Sequence, residues 1–192
     1  MGKVLIDITI SLDGCVARKD LSMEEPFGHD GEKLHDWMFD KKTPEDEKLR
    51  DEFLARIGAV IGGATTYQLG IDGGWEGKNP YSCPFFILTR TVPSKLPDGF
   101  TFITDGIESA LTQAQKAAGD KDVLIMGGAD VARQYLRAGL VDELNLHIAP
   151  FIFGEGRSLL GELGKEITMQ PIGNAVQTPG ATHIKYEILP LV

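Results

Sequence analysis

The stretch Asp122-Val123-Leu124-Ile125-Met126-Gly127-Gly128-Ala129-Asp130-Val131 restricts the possible architecture of this chain more than any other. An apolar run of strand length ends in two glycines, and the pattern then switches to helical spacing, with Val131, Tyr135 and Leu136 on one face and Gly139 as a stop. This predicts strand, tight turn, helix. The helix's first-turn N–H groups are free to meet an anionic group, and the glycines let a ligand approach the main chain. A plain tight connection is the other reading of Gly127-Gly128. A second copy of the pattern favours the first: Ala59-Val60-Ile61 runs into Gly62-Gly63-Ala64-Thr65-Thr66-Tyr67, with two hydroxyls that suit phosphate oxygens. Strands that alternate with helices in this way predict an α/β protein with a largely parallel sheet.

Val4–Ile10 reads as a strand buried on both faces, ending at Ser11-Leu12-Asp13-Gly14. Asp13 is placed either to enter a crevice at the strand's C-terminal end or to close a turn on its own backbone. Residues 17–44 are rich in charge, Gly and Pro around the apolar island Trp37-Met38-Phe39, and suit a lid. His29 and His35 lie here without a nearby Cys, and His147 and His183 are far along the chain, so no metal site is expected. Thr43-Pro44-Glu45-Asp46 carries the signals of a helix start, with Leu49, Phe53 and Ile57 on one face and Gly58 as its end. Asp46 complements the helix dipole there or serves as an acid.

Pro84–Arg90 is a strand ending in Thr89 and Arg90, a hydroxyl and a cation suited to phosphate, and 71–81 is a surface loop. Phe100–Ile103 reads as a strand and Ile107–Ala118 as a helix. The alternation in 142–150 predicts a strand near a sheet edge, followed by a Gly-rich loop at Phe151–Arg157. Strands at 175–178 and 183–189 suit a hairpin across Pro179-Gly180.

At 192 residues and 42% hydrophobic content, one domain over 1–192 is expected. A net charge of −9 opposes nucleic acid and anionic membrane partners, so any phosphate must be held by local donors. The chain has no long apolar span, and Met1-Gly2-Lys3 leads directly into a strand rather than a secretion signal. Cys15 and Cys83 lack metal or disulfide-framework spacing, and a reducing cytoplasmic setting is expected.

Six motifs in order resemble the dihydrofolate reductase-like proteins, specifically the reductase domain of bacterial riboflavin biosynthesis and its free-standing relatives. They are Ser11–Gly14, Gly63–Tyr67, Leu88-Thr89-Arg90, Met126–Ala129, Gly139–Leu144 and Pro150–Gly156. The resemblance implies a three-layer α/β/α fold with a mixed sheet and a C-terminal antiparallel hairpin. It implies hydride transfer from NADPH to a pyrimidine- or pteridine-like heterocycle, as in 5-amino-6-(5-phosphoribosylamino)uracil reductases. By the same analogy the cofactor-binding positions are Gly63, Thr65, Thr66, Leu88, Thr89, Arg90, Gly127, Gly128, Ala129, Asp130 and Val131. The proton donor is Asp46, at the start of the helix after the first loop, or Asp13. Ala64 stands where the family has Arg, which leaves any preference for NADPH over NADH to Arg90, and a missing Pro-Trp segment argues against dihydrofolate as the acceptor. A nucleotide-binding module without reductase activity is the alternative. A hydrolase is disfavoured, with no G-x-S-x-G and no H-E-x-x-H. The strand at Leu144–Ile148 and Phe151-Ile152-Phe153 would leave aromatic surface exposed on a monomer, which predicts a homodimer.

Overall fold

The structure, a computed structural model, describes residues 2–161 and 163–190; Met1, Glu162, Leu191 and Val192 of the expected domain lie outside the described residues. Its frame is a mixed sheet in the order β4-β3-β2-β5-β1-β6-β9-β7, with β8 also on β9. The strands are β1 Val4–Ser11, β2 Ile57–Gly63, β3 Phe85–Leu88, β4 Phe100–Ile103, β5 Asp122–Gly127, β6 Glu143–Ala149, β7 Met169–Pro171, β8 Val176–Gln177 and β9 Thr182–Ile188. The first six run parallel, and β9 is antiparallel to β6, β7 and β8. The hairpin across Pro179-Gly180 is present, with Val176 opposite His183.

Helices cover both faces, giving three layers. On one side, α3 (Ile107–Ala118) and α4 (Ala129–Ala138) pack Ala110, Leu111, Ala114, Val131, Ala132, Tyr135 and Leu136 against Val4, Ile6, Ile61, Val123 and Ile125. On the other, α1 (Pro44–Arg56) and α2 (Ala64–Ile71) supply Phe53, Tyr67 and Ile71 to a cluster with Leu5, Val60, Phe85, Ile87 and Leu124. Alternation along β1 sorts the residues: Val4 and Ile6 belong to the α3/α4 side, and Leu5 to the α1/α2 side.

α1 begins as expected, with Thr43 as a capping box on Asp46 and Pro44 in the first turn. It ends one residue early, at Arg56, because Ile57 is already extended and opens β2. α4 ends at Gly139, whose φ of 70° lies in the left-handed region that favours glycine.

Two expectations are corrected. β6 is not near an edge but sits between β1 and β9, with Asn145 and His147 buried. Its apolar positions Leu144 and Leu146 enter the core under α3 and α4, so the polar positions face the opposite layer rather than water. The aromatic patch at 151–153 is also not on the surface. Phe153 is buried and Phe151 half-buried with Cys15, Leu34 and Phe27, and the guanidinium of Arg18 lies 4.9 Å from the centre of the Phe153 ring. Only Ile152 and neighbouring Leu12 stay exposed, so the homodimer expectation loses its aromatic argument.

Candidate functional site

A cleft of about 1620 Å³ opens at the C-terminal ends of the parallel strands, where sheets of this kind bind ligands. Two helices point their N-termini into it. Gly63 caps α2 and Gly128 caps α4, and neither helix end receives a side-chain cap, so the first-turn N–H groups remain free for an anion. The two turns approach each other closely. A Cβ on Gly128 would stand 3.3 Å from Thr66 Oγ1, and one on Gly63 would stand 2.9 Å from Val131 Cγ2. Gly127, at φ 107°, adopts backbone that other residues avoid, and the Gly127–Gly128 peptide is cis.

Thr89 and Arg90 follow β3 along the rim, with Thr89 Oγ1 turned onto its own loop at Thr91. Arg90 is exposed and makes no ion pair among the described residues. Arg133 also lines the wall, but is held by Asp130 and by the Ser158 carbonyl. These donors fit an anionic dinucleotide: two uncapped helix ends, a glycine cradle that a side chain would fill, and a free cation.

The other half of the cleft is polar and sits on the α1/α2 side of the sheet. Register aligns Asp7 of β1 with Asn145 of β6 and Lys185 of β9, and in the next row Thr9 with His147 and His183. The side chains link in a line. Asn145 Nδ2 donates to Asp7 Oδ2 at 3.2 Å, and Asp7 Oδ1 is 3.0 Å from His147 Nε2. His147 Nδ1 is 2.7 Å from His183 Nδ1, and His183 Nε2 is 2.9 Å from Asp46 Oδ1. The other oxygen of Asp46 accepts from the Thr43 backbone N–H at 2.8 Å and from Thr43 Oγ1 at 2.7 Å.

Trp37 closes the line from above. Its ring lies 4.4 Å from that of His147 and 5.0 Å from that of His183, and its Nε1 donates to Thr9 Oγ1 at 3.0 Å. Gly180 admits this packing, since a Cβ there would stand 2.6 Å from Trp37 Cα.

Burial works against the charge on Asp46, but hydrogen bonds from Thr43 and Thr178 and the nearby His183 outweigh it, and its carboxyl is held below the ordinary value. His183 is pushed down by burial and by His147, against the pull of Asp46. Burial drives His35, at the cleft wall, down to about 4 with His147 adding to the effect. Half-buried Tyr81, on the cleft wall as Asp7 is, is pushed up beyond the ordinary range by desolvation and by the Asp7 charge, and stays a neutral hydroxyl.

Of the expected cofactor residues, Gly63, Thr65, Thr66, Leu88, Thr89, Arg90, Gly128, Ala129, Asp130 and Val131 line the cleft, with Gly127 buried beside them. The two expected acids do not line it. Asp13 is spent on the neighbouring loop: Ser11 Oγ donates to its Oδ1 at 2.6 Å, with backbone donors Phe153 N at 3.1 Å and Gly154 N at 2.9 Å. Those bonds, Ser11 foremost, outweigh burial and hold its carboxyl below the ordinary value. Asp46 is 1% exposed and meets the cleft through His183. Beside the two histidines, the carboxylate that lines the cleft is Asp7, which the apolar reading of the first strand passed over. Its signal was there to read, as polar residues at every second position of buried strands: Asp7 and Thr9, Asn145 and His147, His183 and Lys185.

A family model described as RibD C-terminal domain matches residues 2–180. The chain belongs to that family. Membership supports a reductase-type function. The chain is 25% identical to protein YyaP of Bacillus subtilis (strain 168) over 196 aligned residues, 96% of this chain and 94% of that protein. Among solved structures it is similar to a candidate riboflavin biosynthesis protein from Shewanella sp. PV-4, with TM-score 0.74 and 20% identity over 98% of this chain and 99% of that one. It is also similar to dihydrofolate reductase from Enterococcus faecalis complexed with NADP(H), with TM-score 0.60 and 18% identity over 97% of this chain and 96% of that one. These structural likenesses show the dihydrofolate reductase-like fold. No helix among the described residues is long and apolar enough to cross a membrane, and none of their His, Cys, Asp and Glu side chains group in threes fit to hold a metal.

Proposed function

We propose that this protein is an NADPH-dependent reductase that transfers a hydride to a pyrimidine- or pteridine-like heterocycle. The observation that carries this reading is one cleft with two chemically different ends. The uncapped N-termini of α2 and α4, with Thr65, Thr66 and Arg90, suit the phosphates of a dinucleotide. The opposite end offers Asp7, His147 and Lys185, a carboxylate, an imidazole and a cation suited to a polar ring that must be oriented and protonated. A volume of about 1620 Å³ exceeds what one drug-sized ligand needs, and leaves room for a dinucleotide and a second ring.

The cofactor supplies the hydride when bound; the protein's part is to orient both rings, exclude water and provide the proton. Trp37 and the 31–39 segment cover the acceptor end, which suits the exclusion of water. Lys185 and Arg50, both on the cleft wall, suit a phosphate carried by the acceptor.

The test is calorimetric titration with NADPH, followed by the absorbance of reduced nicotinamide with 5-amino-6-(5-phosphoribosylamino)uracil and with dihydropteridines as acceptors. Binding with oxidation of NADPH by one of these rings is expected. Binding with no turnover on any of them would favour a nucleotide-binding module, and no binding of NADPH would remove the proposal.

A further inference from the structure

The line Asp7–His147–His183–Asp46 has a property that follows from hydrogen counting alone. Three contacts join its four side chains, at 3.0, 2.7 and 2.9 Å, and each needs one hydrogen between two electron-rich atoms. Two neutral imidazoles between two ionised carboxylates carry only two. If both Nε2 atoms donate to the carboxylates, the two Nδ1 atoms face each other at 2.7 Å with lone pairs only. The geometry therefore demands a third hydrogen, and the line has net charge −1 rather than −2.

We propose that His147 and His183 hold one shared imidazolium proton, that His147 passes it through Asp7 to the reacting ring, and that His183 and Asp46 are positioning residues that keep it in place. This rests on the reductase reading for what the proton is used for, but the shared proton itself does not.

Burial and the neighbouring His147 disfavour a cation on His183. With both carboxylates ionised and no cation on His183, the arrangement that satisfies every contact is His147 doubly protonated and His183 neutral with its hydrogen on Nε2. In turnover, the N–H bond at His147 Nε2 breaks and an O–H bond forms on Asp7. That proton then forms an N–H or O–H bond on the acceptor atom next to the carbon that takes the hydride. The acceptor gains two electrons from the reduced nicotinamide, which is oxidised. His147 is left neutral, its Nε2 lone pair facing the Asp7 carboxylate, a contact that favours uptake of a replacement proton from water.

The groups facing this pair come from every neighbouring element. Asp7 lies on β1, His35 and Trp37 on the segment above, Asp46 on α1, Lys185 on β9, and Tyr81 on the cleft wall as Asp7 is. Tyr81 and His35 are both neutral near pH 7, so Asp7 and Asp46 are the anions that hold the proton and Lys185 is the cation that opposes it.

The experiment is long-range nitrogen–proton NMR of the imidazoles in the cofactor-free protein, from pH 5 to 9, for the natural protein and Asp46→Asn. At pH 7 one ring of the His147–His183 pair in the natural protein should carry protons on both nitrogens, or the two rings should average to that total, and the pair should lose the extra proton in a single step as pH rises. In Asp46→Asn that step should fall by about 1–3 units, because the anion that favours the cation is gone. The high-pH limb of the turnover rate should fall with it, whereas a merely structural Asp46 would leave the midpoint unmoved. Two neutral rings at pH 7 in the natural protein, or an unchanged midpoint in Asp46→Asn, would overturn the proposal. If Asp46→Asn does not fold, the natural protein's spectrum decides alone. Failure to bind or oxidise NADPH would count against the reductase reading and leave the shared proton, as read from the spectrum, untouched.

Discussion

Trp37 lies over His147, their ring centroids 4.4 Å apart and their planes inclined by 30°, while its Nε1 donates to Thr9 Oγ1 at 3.0 Å. One residue thus shields the two histidines on one side and ties the 31–39 segment to β1. Trp37→Ala should cost about 3–5 kcal/mol of stability by removing a 4%-exposed aromatic, and Trp37→Phe only about 1 kcal/mol for the lost hydrogen bond. Chemical denaturation of both variants measures the difference. Equal losses would mean that packing over the histidines matters little.

At the cofactor end, Gly128→Val should leave the fold in place and weaken NADPH binding. The glycine has an ordinary negative φ of −69°, and its new Cβ would meet Thr66 Oγ1 at 3.3 Å, which a hydroxyl rotation relieves. The rest of the valine would fill the gap between the two helix ends where phosphate is expected. Calorimetry on a variant with an unchanged circular dichroism spectrum and undiminished NADPH affinity would remove this turn from the cofactor site.

Arg90→Ala should reduce affinity for NADPH about tenfold, or roughly 1.5 kcal/mol, and hardly touch NADH. The figure sits at the low end of charge-assisted contacts because Arg90 is exposed and screened. Ala64 brings no charge to α2, and Arg133 is already engaged by Asp130 and Ser158, so little else at the rim is free to compensate. Parallel titrations with the two nucleotides read the outcome, and an equal fall in both would make the arginine a general rim contact.

The cofactor end was legible from sequence because its signals are local: a glycine pair between a strand pattern and a helix pattern shows where a helix N-terminus will stand. The acceptor end was not, because it is assembled by register. His147 and His183 are 36 residues apart and meet only because β6 and β9 pair antiparallel with those two opposite one another. Local pattern also misled at β6, where alternation ordinarily means one wet face. Here the polar face of Asn145 and His147 turns into the cleft, and the strand is interior. Asp46 shows the same limit: its capping signals were plain, but that its second oxygen would meet a histidine 137 residues away was not.

The opposite end of the sheet carries a prediction about acid. Arg56, the last residue of α1, donates from Nε to Asp122 at 2.5 Å and from Nη1 and Nη2 to Glu143 at 2.9 and 3.2 Å, joining α1 to β5 and β6. Burial alone would raise the Glu143 carboxyl, but Arg56 and Lys3 outweigh it and hold it below its ordinary value. The folded state therefore binds the proton less readily than the unfolded chain. This contribution is complete above about pH 4.5 and is lost as pH falls through the lower folded value. His35 acts in the same direction over a higher window: with a folded value of about 4 against an ordinary 6.5, the unfolded chain takes up a proton first, and stability falls as pH drops from 6.5 toward 4. Arg56→Ala should cost about 3 kcal/mol at pH 7, the lower end for breaking a buried pair, because a third of the Arg56 side chain is in water while Glu143 is only 4% exposed. Glu143→Gln should make the stability curve shallower below pH 4.5, where the depressed Asp46 carboxyl still contributes, and leave the slope between 6.5 and 4.5 intact. Denaturation midpoints measured from pH 3 to 8 separate the two groups, and a Glu143→Gln curve that parallels the natural protein's below pH 4.5 would remove Glu143 as a source of acid lability.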